Sequence, residues 1–497
     1  MSVDVSRGGA LAVEQNGINV IDESERKGAP RDLFWPWCAA NIAVFGISYG
    51  SFLLGFGVSF WQATIAGLVG TVFSFLLVGL VSLAGTRGSA PTMVISRAAF
   101  GVVGNGLPSF LSWILLVGWE TVLVSLATLA TATVFERIGW SSGNSTRILA
   151  FFVVAVIIIG AGVLGFDAIM TLQTWLTVVL AAVTVGYIAL TLDHVDWAAV
   201  SALPAGSTGA VVGALVLAMT GFGLGWVNAG ADYSRYLPRS ASRARVVSWT
   251  TFGASVAPAV LVVYGLLLAG SDPDLNAAIG ADPIGALTTL LPTWYLIPFA
   301  VVAVGGLVGG AVLDIYSSGL TLLTLGVRIP RWAAAAIDGV LMVVGTIYVV
   351  WVATDFIGPF QGFLITLGVP IAAWCGIFLG DLTSRRRPYA EVDLYDPRGR
   401  YGTVNPIAVG TLLLGTLVGW GLVVNTFSSA FAWQGYLLEP LGLGPKLDGP
   451  WTFANVGVLA ALVLGFVLQM ALGRGDVRRQ EAIPVRDLPP GHSPIPA

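Results

Sequence analysis

Two acidic side chains, Glu120 and Asp314, stand in the middle of long apolar stretches of this 497-residue chain. None of the 24 Lys and Arg residues lies inside such a stretch. A charge at that depth costs about 2.5–3.5 kcal/mol on membrane-insertion scales, so an acid there is functional by default. Each one must be protonated, hydrogen-bonded, exposed to water or neutralised by a bound cation. A protonated structural acid bonded to a neighbouring helix is the alternative for both.

Asp314 is followed by two hydroxyl residues, Ser317 and Ser318. Residues three and four positions apart share one face of a helix, so the carboxylate and both hydroxyls point the same way. Such a cluster of oxygen atoms suits a small cation or a polar ligand. The alternative is that the hydroxyls bond back to their own helix.

Aromatic residues accompany these polar groups. Trp119 precedes Glu120, and Phe222 and Trp226 lie in a glycine-rich apolar stretch. Aromatic faces at a break in a helix could enclose a flat ring. For any one of them, contact with lipid or ordinary core packing is the alternative.

Twelve apolar segments position these residues. They lie near 34–58, 63–84, 109–134, 148–166, 170–192, 209–230, 247–269, 294–320, 332–351, 356–379, 405–426 and 451–473. About 20 apolar residues cross a bilayer as a helix, and helices satisfy their backbone polar groups internally. With 56% hydrophobic and 10% charged residues, the chain is predicted to be an all-α membrane protein with twelve spans.

Segments one and six are rich in glycine, which lets a helix unwind or kink. The glycines are Gly46, Gly50, Gly55 and Gly57 in segment one, and Gly221, Gly223, Gly225 and Gly230 in segment six. Interrupted helices at matched positions indicate a transporter built from two inverted repeats, here 34–192 and 209–379. Close helix packing through small residues is the alternative.

The cations are sorted by side. The N-terminus and the even-numbered gaps carry 21 of the 24 Lys and Arg residues, which predicts cytoplasmic termini. A cytoplasmic lead (1–33), a cytoplasmic loop (380–404), two additional helices (405–473) and a disordered cytoplasmic tail (474–497) complete the organisation. With 22 Arg against 2 Lys, the composition favours a GC-rich bacterial genome, and hence a multi-pass protein of the bacterial inner membrane.

Several classes of protein are disfavoured. The two His residues lie in loops, and the apolar segments contain no His, Lys or Arg. An enzyme is therefore not expected, and neither a cofactor nor a nucleic-acid partner is expected. A channel would favour repeated pore-lining motifs, which the chain does not show. The expected partners are a small molecule and the lipid bilayer, with the chain as a monomer.

Six stretches in combination carry a family resemblance. They are ENGINVIDESERKGAPRDLFWPWCAAN, MVISRAAFG, GWETV, GWVNAGADYSRYLP, DIYSSGLTLL and DLYDPRGRYG. Together they resemble the purine–cytosine permease family of nucleobase–cation symporters, over roughly residues 14–473. The resemblance implies a leucine-transporter-like fold, with two inverted five-helix repeats and two C-terminal helices. It also implies transport of a nucleobase driven by Na⁺ or H⁺.

The resemblance implies roles for particular residues. The segment-three Trp of the family, which stacks on the base, corresponds to Trp119. Phe222 or Trp226 would cover the other face, with Phe222 preferred, and main-chain groups near Gly221 and Gly223 would contact the base edge. Glu120 is carried as a further candidate for substrate binding. The family's sodium ligands correspond to Ser317 and Ser318, with partners at the segment-one break around Ala40, Asn41 and Val44.

Two departures from the family pattern bear on the substrate. Asp314 stands where the family has a base-binding Asn, and a carboxylate accepts hydrogen bonds but donates none unless protonated. This disfavours cytosine and favours proton coupling. Leu123 stands where several relatives carry an amide. The predicted function is cation-coupled import of a nucleobase of purine or cytosine type. The alternative is a permease for another flat heterocycle, such as a hydantoin, allantoin or a vitamin-like ring.

Overall fold

The computed structural model describes residues 17–140, 143–163, 166–353, 356–427 and 429–484. Residues 1–16 of the predicted lead and 485–497 of the predicted tail lie outside these ranges. The described residues form helices and no strand. The helices are α1 (Phe34–Asn41), α2 (Phe45–Leu54), α3 (Phe60–Gly88), α4 (Thr92–Phe100), α5 (Gly106–Arg137), α6 (Asn144–Val163), α7 (Phe166–Thr191), α8 (Trp197–Ser201), α9 (Thr208–Gly221), α10 (Gly230–Ser234), α11 (Arg243–Ser271), α12 (Pro273–Ala281), α13 (Leu296–Thr324), α14 (Arg331–Trp351), α15 (Ile357–Ser384), α16 (Pro406–Gly421), α17 (Gly457–Leu468) and α18 (Arg474–Ala482).

The helices are long enough to cross a bilayer many times. Within the described ranges, nine helical stretches meet the length and apolarity of a span, and a bent pair, Pro30–Asn41 with Phe45–Leu54, makes a tenth. Two shorter apolar helices, Asn144–Gly160 and Pro406–Gly421, take the places of segments four and eleven. The all-α multi-pass architecture is confirmed, and the count of twelve spans stays a prediction.

Segment six is broken where its glycines predict. Helix α9 ends at Gly221, two short 3-10 turns follow at Gly223–Gly225 and Val227–Ala229, and α10 begins at Gly230. The amide of Gly223 donates to Ser74 Oγ of α3 at 3.1 Å. The interruption is therefore held against a neighbouring helix.

Segment one is also broken, but its glycines are not at the break. The chain bends by 65° between α1 and α2, at residues 42–44, before Gly46. A Cβ atom on Gly50 would lie 2.1 Å from the carbonyl carbon of Gly265 in α11. Gly50 therefore allows two helices to approach closely. Segment one is therefore broken as predicted, but the bend precedes its glycines, and Gly50 serves helix packing instead.

The packing of the helices repeats between the two halves. Helix α1 packs on α11, and its counterpart α9 packs on α3; likewise α2 packs on α11, and its counterpart α10 packs on α3. Helix α5 contacts both α6 and α14, and its counterpart α13 contacts both α14 and α6. These pairs interchange when segments one to five are exchanged with segments six to ten, as repeats related by a two-fold axis require. The proposed repeat boundaries remain predictions, and α15 continues to Ser384, beyond the predicted end at 379.

The beginning of the predicted tail is ordered. Helix α17 continues through a π-helical turn, Gln469–Gly473, into α18. Arg385 Nη2 donates to Gln480 Oε1 at 2.7 Å, and the backbone amide of Arg386 donates to Glu481 Oε1 at 2.8 Å. Disorder was therefore the wrong prediction for residues 474–482, because their polar side chains bond to the 380–404 loop.

The described part of the lead, residues 17–33, lies across the cation-rich end of the bundle. Arg239, in the loop between α10 and α11, bridges the lead and the loop between α15 and α16. Its Nε atom lies 2.5 Å from Glu23 Oε1 of the lead, and its Nη2 atom lies 2.6 Å from Glu391 Oε1. The hydrogen bond from Arg239 holds the pKa of Glu23 below its ordinary value. Tyr395 adds a hydrogen bond from its hydroxyl to the carbonyl of Ile18. In this structure, the lead is thus fastened to the loops at that end.

Candidate substrate site

A small cavity lies where the two broken segments meet α5 and α13. Its volume is about 50 Å³. It is lined by Ala40, Asn41, Ala43, Phe45, Gly46, Tyr49, Trp119, Leu123, Gly221, Phe222, Trp226 and Asp314. We call this the central cavity. Broken helices place main-chain polar groups and side chains at the same depth in the membrane, which is where transporters of this architecture bind their substrates.

Five of the twelve lining residues are aromatic. Phe222 lies against Tyr49 with ring centroids 4.4 Å apart and the planes 33° apart. The Tyr49 hydroxyl donates to the Gly221 carbonyl at 3.0 Å, so it ties segment one to the break in segment six. Trp119 meets Phe360 of α15 edge-on, with ring centroids 5.7 Å apart. Trp226 meets Trp37 edge-on, also with ring centroids 5.7 Å apart.

The indole of Trp119 is placed by a glycine. A Cβ atom on Gly225 would lie 2.7 Å from Trp119 Nε1, so any larger residue there would displace the ring. Trp119 Nε1 is buried and has no hydrogen-bond partner among the described residues. The ring is therefore held by packing, with its polar atom left without a bond.

Asp314 supplies the acidic group of the cavity. Its side chain is 1% exposed, and neither carboxylate oxygen has a hydrogen-bond partner in the described part of the chain. An unpaired buried acceptor costs about 1–3 kcal/mol, and more when it is charged. A ligand that presents N–H groups to Asp314 would remove this cost.

The structure brings together seven of the residues singled out from the sequence. The central cavity is lined by Trp119, Gly221, Phe222, Trp226, Asp314, Ala40 and Asn41. Glu120, Gly223, Val44, Ser317 and Ser318 are not part of that lining. Gly223 faces Ser74 instead, and Glu120 bonds to Ser318 at 2.7 Å. The roles of all twelve residues in binding remain predictions.

The two serines of the predicted sodium site have other partners. The Ser317 hydroxyl lies 3.2 Å from the Tyr233 hydroxyl. The Ser318 hydroxyl contacts Glu120 and Asp338. These hydroxyls are therefore engaged by side chains of α5, α10 and α14 and not by the segment-one break, as far as the described residues show. The same ranges contain no group of three or more His, Cys, Asp or Glu side chains arranged to hold a metal ion.

Three residues that are prominent in the structure, Asp338, Tyr49 and Phe360, were not predicted from the sequence. Asp338 lies in segment nine and is fully buried. Its signal was available, since it is an acid within an apolar segment. Tyr49 and Phe360 had no comparable signal, because a single aromatic in a membrane helix is ordinary and only the fold shows what it faces.

The central cavity is too small for a complete heterocycle. Ligand pockets are typically on the order of 300–1,000 Å³, against about 50 Å³ here. A second cavity, of about 560 Å³, lies at the cation-poor end and is lined in part by Phe52 and by Thr220, which precedes Gly221. Entry of a ring therefore requires side chains such as Phe222 to move.

Comparison with known proteins decides the family. A family described as "Permease for cytosine/purines, uracil, thiamine, allantoin" matches residues 20–441. The chain belongs to this family. It is accordingly a membrane permease and not an enzyme.

Two relatives illustrate how far the similarity reaches. YxlA of Bacillus subtilis, whose name as a purine-cytosine permease is provisional, is 26% identical over 469 residues, covering 92% of this chain and 96% of YxlA. The purine-cytosine permease FCY2 of Saccharomyces cerevisiae is 22% identical over 494 residues, covering 92% and 87% of the two chains.

A solved structure supports the fold. Mhp1, a nucleobase-cation-symport-1 family transporter in a closed conformation with bromovinylhydantoin bound, has a TM-score of 0.68 at 19% identity. The alignment covers 95% of this chain and all of Mhp1. At this identity the likeness concerns the fold alone, and it confirms the predicted all-α, leucine-transporter-like architecture.

Proposed function

We propose that this permease is a symporter that imports a nucleobase, of purine or cytosine type, across the cytoplasmic membrane by alternating access. The observation that carries the proposal is the unpaired carboxylate of Asp314 in an aromatic cavity between two broken helices. Aromatic walls suit a flat ring, and stacking tolerates every base. A carboxylate suits the N–H groups at a ring edge.

Within this class the chemistry favours a ring that presents N–H groups. Asp314 replaces the family's usual Asn, and Leu123 lines the cavity where several relatives carry an amide. The cavity therefore offers a strong acceptor and few donors. A purine or pyrimidine with N–H groups on more than one ring nitrogen suits this set better than cytosine, which has a single ring N–H group.

A permease for another flat heterocycle is the second candidate. The family description includes uracil, thiamine and allantoin, and the Mhp1 structure holds a substituted hydantoin. The apolar wall at Leu123 would accept a ring with an apolar substituent as readily as a bare base.

The coupling ion is a proton or Na⁺. The predicted sodium site consists of Ala40, Asn41, Val44, Ser317 and Ser318. Both serine hydroxyls are bonded elsewhere in this structure, whereas several acids, among them Glu120, Asp314 and Asp338, are buried among the membrane helices. This distribution favours a proton.

A transport experiment tests the function. Purified protein is screened by thermal shift against purines, pyrimidines, hydantoin and allantoin, with Na⁺ or choline. The compound that stabilises it most is then used, labelled, for uptake into proteoliposomes. We expect saturable accumulation that requires an imposed proton or sodium gradient. Uptake that stops when the concentrations of the compound inside and outside are equal would contradict symport. If no tested compound stabilises the protein or is taken up, the proposed substrate class is contradicted.

The orientation follows from the distribution of cations. We propose that the chain lies in the bacterial inner membrane with both termini in the cytoplasm, since 21 of 24 cations fall on that side. Ser240 and Asp274 are exposed at opposite ends of the bundle, and the native Cys38 and Cys375 are buried. Ser240 and Asp274 are therefore suitable positions for introducing single labelled cysteines.

In intact cells, an impermeant thiol reagent should label the Asp274→Cys variant and leave the Ser240→Cys variant unlabelled. Permeabilised cells serve as the control, because both variants should then react. Labelling of Ser240→Cys in intact cells would overturn the proposed orientation.

A further inference from the structure

Glu120, Ser318 and Asp338 form a polar cluster outside the central cavity. Ser318 Oγ lies 2.7 Å from Glu120 Oε1 and 2.8 Å from Asp338 Oδ2. Trp113 Nε1 donates to Asp338 Oδ1 at 2.7 Å. The two acids and the serine are fully buried, and they come from α5, α13 and α14. We call these three residues the acid cluster.

The hydrogen bonds of the acid cluster can be counted. A serine hydroxyl has one proton to donate, and Ser318 Oγ lies between two carboxyl groups. The Ile315 carbonyl, at 3.3 Å, is a third acceptor for the same proton. Both short contacts exist together only if one carboxyl group is itself a donor. At least one of Glu120 and Asp338 therefore carries a proton in this arrangement.

The surrounding donors indicate which acid carries it. Trp113 is a donor only, so its bond to Asp338 stabilises the carboxylate form of Asp338. Glu120 has no such donor, and its Oε2 atom is buried without a hydrogen-bond partner in the described ranges. The consistent assignment is that Glu120 donates to Ser318, and Ser318 donates to Asp338.

Among the described residues around the cluster, no cation is placed to balance its charge. On α13, Asp314 lies one helical turn from Ser318 and adds a further acid. On α14, Arg331 is two turns from Asp338, with its guanidinium 5.4 Å from the Tyr316 ring centroid. Arg147 of α6 is twelve residues from Ile159, the α6 residue that meets Gly339 of α14, or about 18 Å along the helix.

Other charges of neighbouring elements point elsewhere. Asp232 of α10 accepts hydrogen bonds from the backbone amide and the hydroxyl of Thr92. Arg97 of α4 donates to the carbonyl groups of Leu394 and Thr324. Glu136 and Arg137 lie at the far end of α5, about 24 Å from Glu120 along the helix. Two ionised carboxylates that share a buried site repel each other, and one shared proton removes that repulsion.

The acid cluster is joined to the central cavity by two helices. Glu120 follows Trp119 on α5, and Ser318 is four residues after Asp314 on α13, on the same face of that helix. Trp119 and Asp314 line the central cavity. A movement of α5 or α13 when a ring enters would therefore alter the contacts of Ser318 with Glu120 and Asp338.

We propose that the acid cluster is the site that carries the coupled proton, an inference that rests on the proposed function. In the relay, the proton of Glu120 passes to Ser318 Oγ as the proton of Ser318 passes to Asp338 Oδ2. One O–H bond breaks and one forms at the serine, and the negative charge moves from Asp338 to Glu120. The proton enters from water on one side of the membrane and leaves to water on the other.

The test separates proton coupling from substrate handling. Proteoliposomes containing wild type, Glu120→Gln, Asp338→Asn or Ser318→Ala are assayed for accumulation of a labelled base under an inward proton gradient. Counterflow at equal pH is measured in parallel. We expect accumulation to fall at least tenfold in each variant. The factor by which accumulation falls should be at least five times the factor by which counterflow falls. Glu136→Gln, at the exposed end of α5, is the matched control and should behave as wild type.

Other outcomes decide against the proposal or against its premise. Wild-type accumulation ratios in Glu120→Gln and Asp338→Asn would overturn the acid cluster as the proton site. An equal loss of accumulation and counterflow would assign it a structural role only. If wild type itself takes up no base, the proposed function fails instead.

A measurement on the wild type does not depend on whether the variants fold. The pH of the external medium is recorded in a weakly buffered vesicle suspension while the nucleobase is added. We expect the external pH to rise as the nucleobase is taken up, because protons enter the vesicles with it. Base uptake without proton movement, or uptake that only Na⁺ can drive, would contradict the proposal while leaving the transport function intact.

Discussion

The Trp119→Ala variant is expected to bind the transported ring about 5- to 150-fold more weakly than wild type. Stacking of a base on an aromatic side chain contributes about 1–3 kcal/mol, and each 1.4 kcal/mol is a factor of ten in affinity. Trp119 lines the central cavity, and its indole is fixed by Gly225 and Phe360. Equilibrium binding of labelled base to purified protein measures the loss.

Two further variants make this result specific. Trp119→Phe keeps an aromatic face and should recover part of the affinity. Trp175→Ala removes a tryptophan that is 68% exposed on α7, and it should bind as wild type does. If Trp119→Ala binds with unchanged affinity while remaining folded in detergent, Trp119 is a packing residue and does not contact the ring.

Asp314→Asn is expected to change both the ranking of bases and the pH dependence of uptake, with expression retained. A hydrogen bond to a charged group contributes about 1.5–3 kcal/mol, so rings that present N–H groups should lose about 10- to 150-fold in affinity. Asn both donates and accepts, so rings with a donor beside an acceptor, such as cytosine, should gain in rank. Uptake competition at several pH values measures both effects.

The pH effect has a direct physical origin. Asp314 can lose or gain a proton and Asn cannot, so any part of the pH profile that depends on Asp314 disappears in the variant. By linkage, protonation of the acid and binding of the ring alter each other's equilibria. The exposed Asp274→Asn is the control. An unchanged ranking together with an unchanged profile would make Asp314 a structural acid.

The fold could be predicted because its signals are local. Apolar length identified the segments, and the glycines of segment six marked a break that the structure contains. Segment one shows the limit of the same reasoning. Gly50 permits contact with Gly265, while the 65° bend occurs at residues 42–44. Sequence composition alone cannot distinguish a glycine at which a helix bends from a glycine that lets two helices pack closely.

The candidate site could be predicted only in part. Trp119, Phe222 and Asp314 were found by residue type, by their positions and by family resemblance. Nothing in the sequence indicated that Phe222 would lie against Tyr49 or that Ser318 would bond Glu120 and Asp338. Those contacts join residues up to 198 positions apart, and their existence depends on how helices of the two halves pack. Asp338 carried a readable signal, an acid in an apolar segment.

The most direct test of the central claim is an experimental structure of the purified permease with its most stabilising base. We expect density for the ring between Trp119 and Phe222, with an N–H edge within hydrogen-bond distance of Asp314, and with Phe222 moved away from Tyr49. Density only in the large cavity beside Phe52 and Thr220, with the central cavity still closed, would contradict the proposed binding site.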